Sequence, residues 1–149
     1  MRKLLLLLLV LAFFLAGPVH GQRATNGAVP SVIQNDLAAA FPKVTDFEWE
    51  RDGSLFKVEF ETEADVDHEI WYDRQGSIVR KVVEIPTEDI PDAVLRTLAA
   101  DFAGYAIDDA ERVTTPDGET FRMELESLLK EDWEVAFTAD GRLLSKVED

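Results

Sequence analysis

The chain has 149 residues, with 15 Lys and Arg against 30 Asp and Glu, a formal charge of −15, 46% hydrophobic residues and no cysteine. A field of that sign repels phosphate backbones and anionic lipid, which argues against nucleic-acid or membrane-surface binding. Without cysteine, stability must come from a core and not from disulfides, and the length suits one domain burying roughly two thirds of its unfolded surface.

Residues 1–21 read as an export signal. Arg2-Lys3 supply a positive start, Leu4 to Leu15 an apolar run, and Gly17-Pro18 a break. The run is shorter than the ~20 residues of a membrane span, and no cysteine follows it to carry a lipid. Cleavage after Gly21, with Ala16 as a competing site, leaves 128 residues (149 − 21) and 13 basic against 30 acidic ones. Residues 22–29 have little pattern and read as a flexible leader. No membrane span is expected after cleavage, and the mature chain is expected in the periplasm or outside the cell.

A helix is expected from Pro30 to about Ala40, since Pro suits a first turn and Ile33, Leu37, Ala40 and Phe41 recur at helical spacing. Pro42 ends it. Strand alternation follows, with Phe47 and Trp49 on one side and Glu48 and Glu50 on the other. Asp52-Gly53 signals a hairpin. The next strand turns Phe56, Val58 and Phe60 inward and Lys57, Glu59 and Glu61 outward. An acidic connection, residues 62–66, leads to a strand from Asp67 to Tyr72. Asp73-Arg74-Gln75-Gly76 then turns into a fourth strand, Ser77 to Ile85.

The second half repeats the first. Phe56-Lys57-Val58-Glu59-Phe60 matches Phe121-Arg122-Met123-Glu124-Leu125 at an offset of 65, and Gly76 matches Gly141 at the same offset. Upstream the offset is 61, pairing Pro30 with Pro91, Leu37 with Leu98 and Phe41 with Phe102. Four extra residues (65 − 61) therefore fall around Ala103 to Ala110. Helix two is expected over Pro91 to Phe102, and strands near 110–115, 119–127, 131–138 and 142–148. Repeat one spans 30–86 and repeat two 91–148, within one domain of residues 30–149. The junction, Thr87-Glu88-Asp89, holds no flexible linker. A sheet with one apolar face must cover it, and each copy supplies one helix. The expected fold is α+β: one eight-stranded antiparallel sheet, two helices on one face, the other face open.

Phe41-Pro42, Phe47-Glu48-Trp49-Glu50, Phe56 to Phe60 and Trp71-Tyr72-Asp73-Arg74-Gln75-Gly76 together resemble the PepSY-like family. That family comprises small exported bacterial proteins whose fold is similar to the tandem-repeat β-lactamase inhibitor protein. The likeness covers about residues 30–148. Copy two departs from it, with Ala103 in place of the helix-ending proline and no tryptophan at the position of Trp49. The resemblance implies a non-catalytic binding or inhibitory role in the cell envelope, with no catalytic residues to transfer.

The residues themselves offer little chemistry. No cofactor is expected. After cleavage His68 is the one histidine, so neither a Ser-His-Asp set nor a zinc site is indicated. Its carboxylate neighbours Asp67 and Glu69 suggest a surface imidazole with a raised pKa. Acids alternate with cations along the strands, Glu59 with Lys57 and Glu124 with Arg122, as on a solvated face with cross-strand ion pairs. Asp65, Asp67 and Glu69 share one strand face and form a weak calcium candidate, although the 12-residue calcium loop is absent. Trp71 is set on the open face among Glu59, Glu61 and Glu69, where Ala136 stands in copy two. A large aromatic there suits a partner-binding anchor, the alternative being that a loop, the other copy's strands or a dimer mate covers it. The expected function is an exported, non-enzymatic binding module. Its open acidic face, with Trp71, Lys57, Glu59, Glu61, Glu69, Arg122 and Glu124, would meet a basic protein or peptide, possible inhibition of a secreted protein being one form. Calcium or a small cationic ligand is the alternative.

Overall fold

The computed structural model describes residues 22–23 and 28–148; the expected export signal lies outside them. In chain order the elements are β1 (Gln22–Arg23), α1 (Ser31–Ala40), β2 (Glu48–Asp52), β3 (Leu55–Glu61), β4 (Asp67–Tyr72) and β5 (Ile78–Glu84). A 3₁₀ turn at Thr87–Asp89 then leads to α2 (Asp92–Asp101), β6 (Ala106–Thr115), β7 (Gly118–Glu126), β8 (Trp133–Thr138) and β9 (Leu143–Glu148). Every strand pairs antiparallel with the next in sequence, giving the sheet order β1 to β9 without a crossover. The eight-stranded meander is as expected. Within the segment expected as a leader, Gln22 and Arg23 pair with Arg51 and Glu50 as a short edge strand, and Val29 is buried.

Both helices begin the same way. Pro30 and Pro91 sit at the N-caps in extended backbone, so the helices start one residue later than the sequence suggests. Proline lacks only a donor that a first turn leaves unused anyway. Ile33 and Leu37 of α1 and Val94 and Leu98 of α2 face the sheet, and each such side chain stabilises the fold by roughly 1.5–3 kcal/mol. Phe41 and Phe102 cap the C-termini, their N–H groups donating to Leu37 and Leu98 carbonyls at 2.9 Å.

The duplication holds at the level of close contacts. Gly76 (φ +90°) tucks the β4–β5 turn against Val32 of α1, where an added Cβ would come within 3.3 Å of the valine. Gly141 (φ +86°) does the same for β8–β9 against α2, but closer, since a Cβ would lie 2.5 Å from the Ala93 carbonyl oxygen. Thr97 Oγ1 donates to the Gly141 carbonyl at 2.8 Å and locks that turn.

The two repeats share a sheet but not a core. Ile33, Leu37, Trp49, Phe56, Val58, Phe60, Ile70 and Tyr72 form one cluster. Val94, Leu98, Phe102, Phe121, Met123, Leu125, Val135 and Phe137 form the other. Continuity comes from the β5–β6 pairing, Lys81 with Thr114 through Glu84 with Glu111. The four extra residues of copy two do not make a loop. They lengthen β6 to ten residues, against five in β2, with a bulge between Ile107 and Asp109.

Candidate functional site

Strand alternation puts the carboxylates on the face away from the helices. Core positions Trp49, Phe56, Val58, Ile70 and Tyr72 point one way, so Glu48, Lys57, Glu59, Glu69 and Trp71 point the other. The register then aligns them in rows. One row runs Glu50, Lys57, Trp71, Arg80, and the next runs Glu48, Glu59, Glu69, Val82, Val113.

Each repeat places an equivalent cation among these carboxylates, Lys57 in one and Arg122 in the other. Lys57 ion-pairs with Glu59, its neighbour two residues along, and with Glu69 across the strand at 3.1 Å. Burial pulls the Lys57 ammonium down, but the hydrogen bonds it donates to Glu59 and Glu69, and their charges, outweigh it, leaving its pKa above the usual lysine value. Arg122, the counterpart 65 residues on, is met by carboxylates from both flanking strands: Glu111 of β6 at 2.5 Å and Glu134 of β8 at 4.0 Å. The sequence had matched it with Glu124 on its own strand. Glu134 and Glu69 are equivalent by the repeat, so in both halves the equivalent carboxylate lies beside the equivalent cation, hydrogen-bonded to it in repeat one and 4.0 Å away in repeat two.

Trp71 lies on this face, as its position in β4 requires, but it is only 7% exposed. Lys57 and Arg80 sit over its ring, at 4.9 and 4.7 Å from the centroid, and its Nε1 donates to Asp52 Oδ2 at 2.9 Å. The expectation of an exposed aromatic is therefore corrected: the two flanking cations cover the indole, which they favour over water through the ring quadrupole. Arg80 and Asp52 were missed in the sequence because their contact with Trp71 crosses strands.

Where the repeats meet, the ends of β3 to β6 enclose an open furrow of about 410 Å³. Six carboxylates line it: Glu59, Asp67, Glu69, Glu84, Asp109 and Glu111. Glu61 lies beyond its rim in an adjoining hollow, and Glu124 lines a smaller one with Arg122. Glu84 was legible from the alternation of β5. Glu111 was hidden because the segment before it reads as an insertion.

The calcium candidate does not assemble. Among the described residues no group of three or more His, Asp or Glu side chains is placed to hold a metal ion. Asp65 sits in the β3–β4 turn at φ 55°, Asp67 opposes Glu61 across the strands, and Glu69 is engaged by Lys57. His68 is also corrected. It stacks on Phe60 (5.0 Å, 3° between planes) and meets Phe41 edge-on at 5.2 Å. Burial and the nearby Lys81 charge lower its pKa, outweighing Asp67, where the sequence suggested a rise.

The family model described as "Putative beta-lactamase-inhibitor-like, PepSY-like" matches the chain twice, over residues 19–80 and 67–145. The chain belongs to the PepSY-like family. Two solved structures share its fold. One is a "BLIP-like protein" from Bacteroides fragilis, 20% identical, covering 80% of this chain and 86% of its own, with a TM-score of 0.64. The other is described as a "putative periplasmic" protein from Bacteroides eggerthii, 19% identical, covering 82% and 90%, with a TM-score of 0.70. No curated protein matches the chain. Among the described residues no helix is long and apolar enough to cross a membrane.

Proposed function

We propose that this PepSY-like chain is an exported, non-catalytic binding module whose open sheet face captures a basic segment of another protein. One observation carries the reading: carboxylates from both repeats converge on a furrow at their seam, on the face that, among the described residues, no helix covers. Incoming lysine or arginine side chains would enter among Glu59, Glu69, Glu84 and Glu111. Lys57 and Arg122 hold Glu69 and Glu111 in place and so pre-order the surface, which limits the entropy lost on binding. Glu61 and Glu124 extend the acidic rim. Trp71 acts from beneath, as the plate on which Lys57 and Arg80 lie.

Binding of this kind would block or regulate a secreted protein by occupation, without bond-breaking. The family's inhibitor-like description supports that form, and the relative described as periplasmic supports the location. The test is capture from envelope extract by the mature protein and by an E84Q/E111Q variant, followed by calorimetry with a hexalysine peptide. Binding of the peptide that falls at least tenfold in the variant, and weakens with salt, supports the reading. Equal binding by both proteins sinks it.

A further inference from the structure

Carboxylates are not the whole lining of the furrow. At the strand ends it also reaches Phe60, His68 and Val82. Among the residues that line it, His68 alone turns positive when it takes up a proton.

The surroundings of that ring come from several elements. Phe60 of β3 stacks on it at 5.0 Å, and Phe41, at the end of α1, meets it edge-on at 5.2 Å. Val83 of β5 lies directly opposite, and Arg112 of β6 is next along the same row. Lys81 of β5 acts on it as a like charge, and Asp67 of its own strand as an opposite one. Its Nδ1 is buried without a hydrogen-bond partner, so no acceptor is placed for the second N–H that an imidazolium carries. Burial and the Lys81 charge favour the neutral ring. The furrow is then at its most negative.

The internal repeat shows that the frame does not need a histidine here. Copy two has Trp133 at the equivalent position, a ring that does not titrate. The hollow of copy two, around Arg122 and Glu134, has no imidazole in its lining. An aromatic ring satisfies the packing in both halves. Only repeat one sets a proton acceptor in an acidic wall.

We propose that His68 makes capture by the furrow pH-sensitive: a basic segment is held while the imidazole is neutral, and protonation on acidification favours its release. This rests on the reading of the furrow as a cation-binding face. The added charge stands in the wall that a lysine or arginine side chain would enter, repels it and offsets one of the six carboxylates. In an open, hydrated furrow one such charge changes affinity by roughly three- to tenfold. Ordinary carboxylates titrate near 4, so the imidazole responds at milder acidity. The coupling is reciprocal, and a bound cation must lower the His68 pKa by the same factor.

The test is calorimetry of the mature protein with hexalysine peptide at about pH 7.5 and about pH 5, at constant low salt, with H68F and H68Q alongside and folding checked by circular dichroism. H68F keeps a ring between Phe41 and Phe60. Across this interval the wild type is expected to lose roughly three- to tenfold more affinity than either variant, whose remaining loss reports the carboxylates. In parallel, the His68 ring protons followed by NMR should show a titration midpoint that falls when the peptide is bound. Equal losses in wild type and variants overturn the proposal and leave the furrow reading intact. So does a His68 midpoint that ignores the peptide while binding still depends on Glu84 and Glu111. Hexalysine that binds at neither pH sinks both.

Discussion

Repeat one and repeat two use the same frame with different fillings, and the differences locate what the frame demands. His68 and Trp133 are equivalent, as are Phe41 and Phe102, and Lys81 and Lys146. In repeat two Lys146 lies 3.6 Å from the Trp133 centroid and 5.4 Å from that of Phe102. In repeat one Lys81 is over Phe41 at 5.9 Å, and its charge depresses the His68 pKa. Lysine over aromatic is thus the shared device, and the imidazole is a weaker tenant of a site built for a ring. On the open face the asymmetry reverses, with Trp71 in repeat one and Ala136 in repeat two. The core does not require that indole; the cations that cover it do.

The largest effects should test whether the two cores are independent. Tyr72 and Phe137 are equivalent, 1% and 0% exposed, each in its own cluster. Burial raises the Tyr72 phenol to about 12, with the Asp36 charge adding to it. Tyr72→Ala and Phe137→Ala should each cost about 3–5 kcal/mol, read by urea unfolding. The double variant, if it still folds, should lose the sum to within about 0.5 kcal/mol, as for distant sites. A clear departure from additivity would mean that the repeats share packing energy.

Next in size is Trp71→Ala, expected to cost about 3 kcal/mol, at the low end of the range for a buried tryptophan. An unchanged unfolding midpoint would show that the cations give the indole no cover. Gly141→Ala and Gly76→Ala sharpen the comparison at the turns. Both force a side chain into left-handed backbone, costing roughly 1–2 kcal/mol. Gly141→Ala should cost more, because its Cβ would meet the Ala93 backbone, whereas at Gly76 a valine side chain can yield.

The smallest effect is the pH dependence of His68. Its folded-state pKa is lowered, by burial first and then by Lys81, so the unfolded chain binds the proton more readily. Its contribution is intact above the unfolded value near 6.5 and is lost as pH falls below that through the folded value. His68→Phe should flatten the stability profile between about pH 7 and 5. A profile of unchanged slope would assign the acid sensitivity to the carboxylates.

Much of this was readable from residues. Strand periodicity and the offsets of 65 and 61 give the meander, the helices and the wet face, because duplication and alternation are local patterns. What escaped was set by neighbours far apart in sequence. The cover over Trp71 comes from Lys57 and Arg80 on adjacent strands. Glu111 joins the furrow only because the extra residues of copy two extend a strand instead of making a loop. His68 was misjudged because its sequence neighbours Asp67 and Glu69 are acidic, while its spatial neighbours are Phe41, Phe60 and Lys81.

The most direct test of the binding account is a chemical-shift map of the mature protein titrated with hexalysine peptide at low salt. The account predicts perturbations centred on Glu59, Glu69, Glu84 and Glu111, absent from the E84Q/E111Q variant. Perturbations confined to the helix-covered face, or none at all, would contradict it.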